Sequence, residues 1–115
     1  MRAVYAFIFA ISALWALARN AHAQLYVTNR PAGSLNSGLV GEYNATTGAM
    51  INASFITGLN SPLALGLLGN SLFVSDIGNG TVGEYDAKTG AAINANFITG
   101  LSAPFGLAVK SKIAC

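Results

Sequence analysis

VGEYNATTGAMINASFITGLNSPLAL, beginning at Val40, and VGEYDAKTGAAINANFITGLSAPFGL, beginning at Val82, are two copies of one unit. Tyr43 corresponds to Tyr85, so the period is 42 residues, and roughly two-thirds of the aligned positions are identical. Upstream, LYVTN at Leu25 matches LFVSD at Leu72 at an offset of 47. The first copy therefore carries five extra residues between these two segments, in RPAGSLNSG from Arg30.

Within the unit, apolar runs of strand length alternate with turn signals. Leu72-Phe-Val-Ser75 is β-prone, and Ile77-Gly-Asn-Gly80 is a turn by composition. Residues 81–85 alternate in character. Asp86-Ala-Lys-Thr-Gly90 reads as a hairpin turn, because Asp bonds its own backbone and Gly takes positive φ. Residues 93–99 read as the next strand, with Ile93, Phe97 and Ile98 as core positions. Residues 105–109 read as a further strand. In the first copy its counterpart, residues 63–68, meets Leu72 through Gly69-Asn70, a two-residue hairpin signal.

Outside the N-terminal segment nothing has capped helical periodicity. The expected fold is all-β: two four-stranded repeat units of about 42 residues, each a β-propeller blade. A single meander cannot bury both faces, so it must stack on a neighbour. A duplicated solenoid or small sandwich is the alternative.

Residues 1–23, MRAVYAFIFAISALWALARNAHA, have the three-part pattern of an export signal: Arg2, an apolar run over residues 3–18, and small residues at Ala21 and Ala23. The expected division is a signal helix over residues 1–23, cleaved before Gln24, and a repeat region over residues 24–115. The 16-residue run is shorter than the ~20 that span a bilayer. No stable membrane span is expected unless the signal stays uncleaved as an anchor, and the product is expected to be secreted or periplasmic.

The chain has 115 residues, 53% hydrophobic and 9% charged, with a formal charge of +2. Beyond Ala23 the bases Arg30, Lys88, Lys110 and Lys112 balance the acids Glu42, Asp76, Glu84 and Asp86. The excess of positive charge lies in the signal, so no nucleic-acid partner is expected. His22 and Trp15, each the sole residue of its type, also fall in the signal. Without imidazole, the mature chain has no means for Ser-His-Asp or Cys-His catalysis. The lone Cys115 excludes an internal disulfide.

The wording of the unit resembles the NHL-type and gluconolactonase-like six-bladed propeller repeats of secreted bacterial proteins. Pro104-Phe-Gly-Leu-Ala-Val109 and Gly69-Asn-Ser-Leu-Phe-Val-Ser-Asp76 carry the resemblance, whereas Pro62-Leu-Ala-Leu-Gly-Leu67 has Ala64 where Gly is expected. It extends over nearly all of residues 25–109 and implies blades, not a function. A closed propeller takes 4–8 blades. Two blades imply an incomplete ring: a truncated piece of a longer propeller, or a homo-oligomer that closes the ring.

In lactonase-like relatives, oxygen ligands hold one divalent metal. Asp76, Asn79 and Asn29 are the nearest positions in kind, and their oxygens suit Ca²⁺. The structural alternative is that Asp76 bonds backbone N–H groups in its turn. Glu42 and Glu84 recur at the period and read as structural, as do Tyr43 with Tyr85 and Phe55 with Phe97 in interblade packing. Asn44, Asn52 and Asn79 fit the N-glycosylation pattern that a turn-rich repeat generates by chance. No cofactor is predicted. The functional expectation is a non-catalytic binding or scaffold module for a protein or glycan ligand. The alternatives are a fragment of a metal-dependent lactonase-like hydrolase and a two-blade lectin assembling as a trimer.

Overall fold

The computed structural model describes residues 23–34 and 36–112, so nearly all of the expected signal segment and Cys115 lie outside the described residues. Seven strands follow in order: β1 (Gln24–Asn29), β2 (Leu39–Asn44), β3 (Met50–Ile56), β4 (Pro62–Leu68), β5 (Ser71–Asp76), β6 (Thr81–Asp86) and β7 (Ala92–Ile98). They form two antiparallel meanders, a three-stranded sheet β1-β2-β3 and a four-stranded sheet β4-β5-β6-β7. No helix among the described residues is long and apolar enough to cross a membrane. The described residues are all-β, in keeping with their apolar alternation.

The two copies repeat in geometry as well as in wording. Val40 pairs with Ile56 and Glu42 with Asn52; 42 residues on, Val82 pairs with Ile98 and Glu84 with Asn94. The same irregularity interrupts both ladders. Its cause is local: Asn52 Oδ1 accepts Ser54 N–H at 3.0 Å, and Asn94 Oδ1 accepts Asn96 N–H at 3.1 Å, which kinks the strand. The hairpin turns repeat too. Asn44 Oδ1 accepts the N–H groups of Thr46 and Thr47, and Asp86 Oδ1 those of Lys88 and Thr89. In Val-Gly-Glu-Tyr the glycine has a packing reason, since a Cβ on Gly41 or Gly83 would run into the ring of Tyr43 or Tyr85 two residues on. The Gly69-Asn70 hairpin forms as expected between β4 and β5, with Gly69 at φ 58°.

Three expectations fail. Residues 105–109 form no strand, and the first sheet holds three strands rather than four. A strand exists only where a neighbour accepts its ladder. Among the described residues nothing pairs with residues 105–109, and Lys110-Ser-Lys112 after them lacks the Gly-Asn hairpin signal that follows β4. The third correction concerns Ile93, Phe97 and Ile98, which are exposed rather than core.

Ile93 is open like its counterpart Ile51, whereas the exposure of Phe97 and Ile98 follows from how the sheets stack. The core lies between them: Val40, Phe55, Ile56 and Leu59 from the first unit pack on Leu72, Val74, Tyr85 and Ala87 from the second. Each large side chain so buried contributes about 1.5–3 kcal/mol. Tyr26 stacks on Phe55 with ring centroids 5.4 Å apart, and its hydroxyl donates to the Ala87 carbonyl at 2.7 Å. Thr28 donates to the Leu63 carbonyl at 3.1 Å. Each sheet thus gives one face to this contact and leaves the other outside. Phe55 and Ile56 are 7% and 2% exposed, while their repeat counterparts Phe97 and Ile98 are 49% and 44% exposed. Conversely, Leu72 is 1% exposed and its counterpart Leu25 is 49% exposed.

Candidate functional site

Strand ends and the loops beside them build the site. Thr28 and Arg30 at the end of β1, Ser61, Pro62 and Leu63 at the start of β4, Ile77 after β5, and Phe105 line an open cleft of about 430 Å³. Arg30 and Ile77 are repeat counterparts, as are Leu63 and Phe105. The cleft therefore follows the repeat, each unit lending the same end of its strands. It combines one guanidinium and two hydroxyls with apolar walls and an aromatic ring, the mixture typical of small-ligand sites.

Asp76 sits behind this cleft, buried at the end of β5. Both its carboxylate oxygens accept the backbone N–H of Asn60 at 3.0 Å, and Oδ2 also accepts from Asn79 Nδ2 at 3.1 Å. The backbone N–H that Asp76 holds is thus that of the neighbouring loop, and its own turn reaches it through the Asn79 side chain. Burial raises the carboxyl above its ordinary value and outweighs the lowering by the bonds from Asn60 and Asn79. Asn60 Oδ1 beside them is buried without a hydrogen-bond partner. A Cβ on Gly78 would collide with the Asn60 amide, so the glycine makes room for it.

Of the three oxygen-bearing residues expected at a metal site, Asp76 and Asn79 are joined. Asn29 ends β1 on the other sheet and is exposed. Among the described residues, no three His, Cys, Asp or Glu side chains gather into a group that could hold a metal. Asn60 is the residue sequence reasoning missed. The available signal was its departure from the repeat, since the second copy has Ser102 in its place. Arg30 was equally silent, although it is the only Lys or Arg between Arg19 and Lys88.

The other carboxylates serve the fold. Glu84 accepts the Ser71 hydroxyl at 2.7 Å, Asp86 holds its turn, and buried Glu42 faces Tyr26 across β1 and β2. Desolvation first, then the charges of Glu42 and Asp86, push the Tyr26 hydroxyl above its ordinary pKa. Ser61 and Ala103 both have positive φ, 61° and 50°, immediately before a proline. Strain of this kind is often a mark of function. Here it recurs at the 42-residue period, so it belongs to the architecture.

No protein-family model, curated protein or solved structure matches the chain.

Proposed function

We propose that this chain is an exported, non-catalytic repeat module of the β-propeller type, which works by binding through its uncovered sheet faces. The observation that carries the reading is the fate of Phe97, Ile98 and Leu101. Their counterparts Phe55, Ile56 and Leu59 close the contact between the two sheets, while they themselves stand exposed on the outer face of the second sheet. A face built to pack and left uncovered marks an interaction surface. The apolar N-terminal run ending in Ala21-His22-Ala23 supports export. The carboxylates' engagement in turns and ladders supports binding over acid–base chemistry.

Amide hydrogen exchange tests this reading whatever the partner is. In the particle as isolated, β7 and residues 97–101 should exchange more slowly than in the same chain diluted to a monomer. Equal exchange in both states overturns it.

One observation favours the lactonase-like alternative: the unpartnered Asn60 Oδ1 next to Asp76 and Asn79, a set of hard oxygen donors of the kind Ca²⁺ takes. If that reading holds, Ca²⁺ raises the melting temperature and Asp76→Ala abolishes the shift. The binding reading expects no shift with either chain. Retention on immobilised glycan would instead support the lectin, with Arg30, Thr28, Ser61 and Phe105 of the cleft as its contacts.

A further inference from the structure

We infer that a second copy of this chain supplies residues 104–110 as a fourth strand along the open edge of β1, so that copies join head to tail. The inference rests on the binding reading above and names its partner. The template is inside the molecule. β4 pairs antiparallel with β5, with Pro62 opposite Asp76, Leu65 opposite Val74, Gly66 opposite Phe73, Leu67 opposite Leu72 and Leu68 opposite Ser71. The counterpart of β5 in the first unit is β1, at an offset of 47. In the three-stranded sheet β1 is an edge, with β2 on one side and, among the described residues, no strand on the other. The counterpart of β4 is the segment 104–110, at an offset of 42, and it forms no strand. One unpaired edge and one unpaired segment are the two halves of a ladder the molecule already contains once.

The segment already stands where this role requires. Thr28 Oγ1 donates to the Leu63 carbonyl, and 47 and 42 residues on, Ser75 Oγ donates to the Phe105 carbonyl at 3.2 Å. Residues 105–109 therefore sit against the second sheet as β4 sits against the first. This contact is on the side of the second sheet away from the first. The segment's own β1 lies beyond that sheet, so among the described residues no open strand edge is within its reach, and the edge we assign to it is that of another molecule.

Transposing the template fixes the register. Pro104 comes opposite Asn29 of the second copy, Leu107 opposite Val27, Ala108 opposite Tyr26, Val109 opposite Leu25 and Lys110 opposite Gln24. The same displacement lays Phe97, Ile98 and Leu101 of one copy on Leu25, Val27 and Tyr43 of the next. That repeats the packing of Phe55, Ile56 and Leu59 on Leu72, Val74 and Tyr85. The aromatic pair is conserved in geometry, since Phe73 and Phe97 also stand 5.4 Å apart. Asn29 offers Ser102 N–H the acceptor that Asp76 offers Asn60. One bond has no counterpart: Phe73 replaces Tyr26 and has no hydroxyl to donate. The contact joins two different surfaces of the same chain, so it propagates to a ring or a filament.

The test is the solution mass of the full chain by light scattering, combined with disulfide trapping in a Cys115→Ser background. The expected result is a mass that is a multiple of the monomer, and an interchain disulfide when Val27→Cys and Leu107→Cys are combined. Val27→Cys with Lys112→Cys, out of register, should give none. Leu107→Asp and Val27→Asp should each lose the assembly at concentrations where the parent chain holds it. A monomer at every concentration overturns the inference, as does an assembly that traps only the out-of-register pair. A particle in which a different protein covers β7 also overturns it, and leaves the binding reading standing.

Discussion

Tyr26 and Asp76 show how single side chains tie the sheets and loops together. Tyr26 reaches from the first sheet to the Ala87 carbonyl in the second. Tyr26→Phe keeps the ring on Phe55 and removes the bond, so it should cost about 1 kcal/mol in urea unfolding. No change in the midpoint would mean that water serves Ala87 equally well. Asp76→Ala strips the acceptor from Asn60 N–H and should cost about 1–3 kcal/mol. Its charge acts in the other direction. The folded carboxyl titrates above its ordinary value, so the protonated form favours the fold. This contribution is fully present below the ordinary carboxylate range and is lost as pH rises through the raised value. Asp76→Asn should therefore flatten the fall in stability across that acid window. Parallel pH profiles for parent and variant would refute the assignment.

At the scale of elements, the two hairpin turns offer a controlled comparison. Gly48 and Gly90 occupy the same repeat position with φ of 76° and 77°. An alanine at either pays the left-handed penalty of about 1–2 kcal/mol. Around Gly48 an added Cβ meets open space, whereas at Gly90 it collides with the Phe55 carbonyl across the sheet contact. Gly90→Ala should thus lower the melting temperature well beyond Gly48→Ala. Equal losses would show that the second hairpin yields at no cost. The strands and these turns were legible from alternation, Asn or Asp, and Gly. The absent strand at residues 105–109 was not, because a ladder depends on an edge that its own sequence does not contain.

For the whole molecule, stacking decides what a residue is worth. Phe55→Ala opens a cavity between the sheets and should cost about 3–5 kcal/mol. Phe97→Ala, at the same repeat position, should change the stability of the dilute monomer little and weaken the assembled particle instead. Calorimetry at low and high protein concentration separates the two. If Phe97→Ala destabilises the dilute monomer as much as Phe55→Ala does, the outer face is already covered within one chain.

The amino-acid sequence by itself determined the repeat, the all-β class, the turn chemistry and the structural use of Glu84, because each is set by neighbours within a few residues or by one period of the chain. It could not assign burial. Phe55 and Phe97 share their local sequence, and only the presence of a second sheet over one and not the other makes the first a core residue. Nor could it show that Asp76 accepts the backbone N–H of Asn60 from a separate loop, or that Arg30 meets Ser61 and Phe105 at one cleft. These pairings join separate loops and strands, and the stacking of the two sheets brings them together.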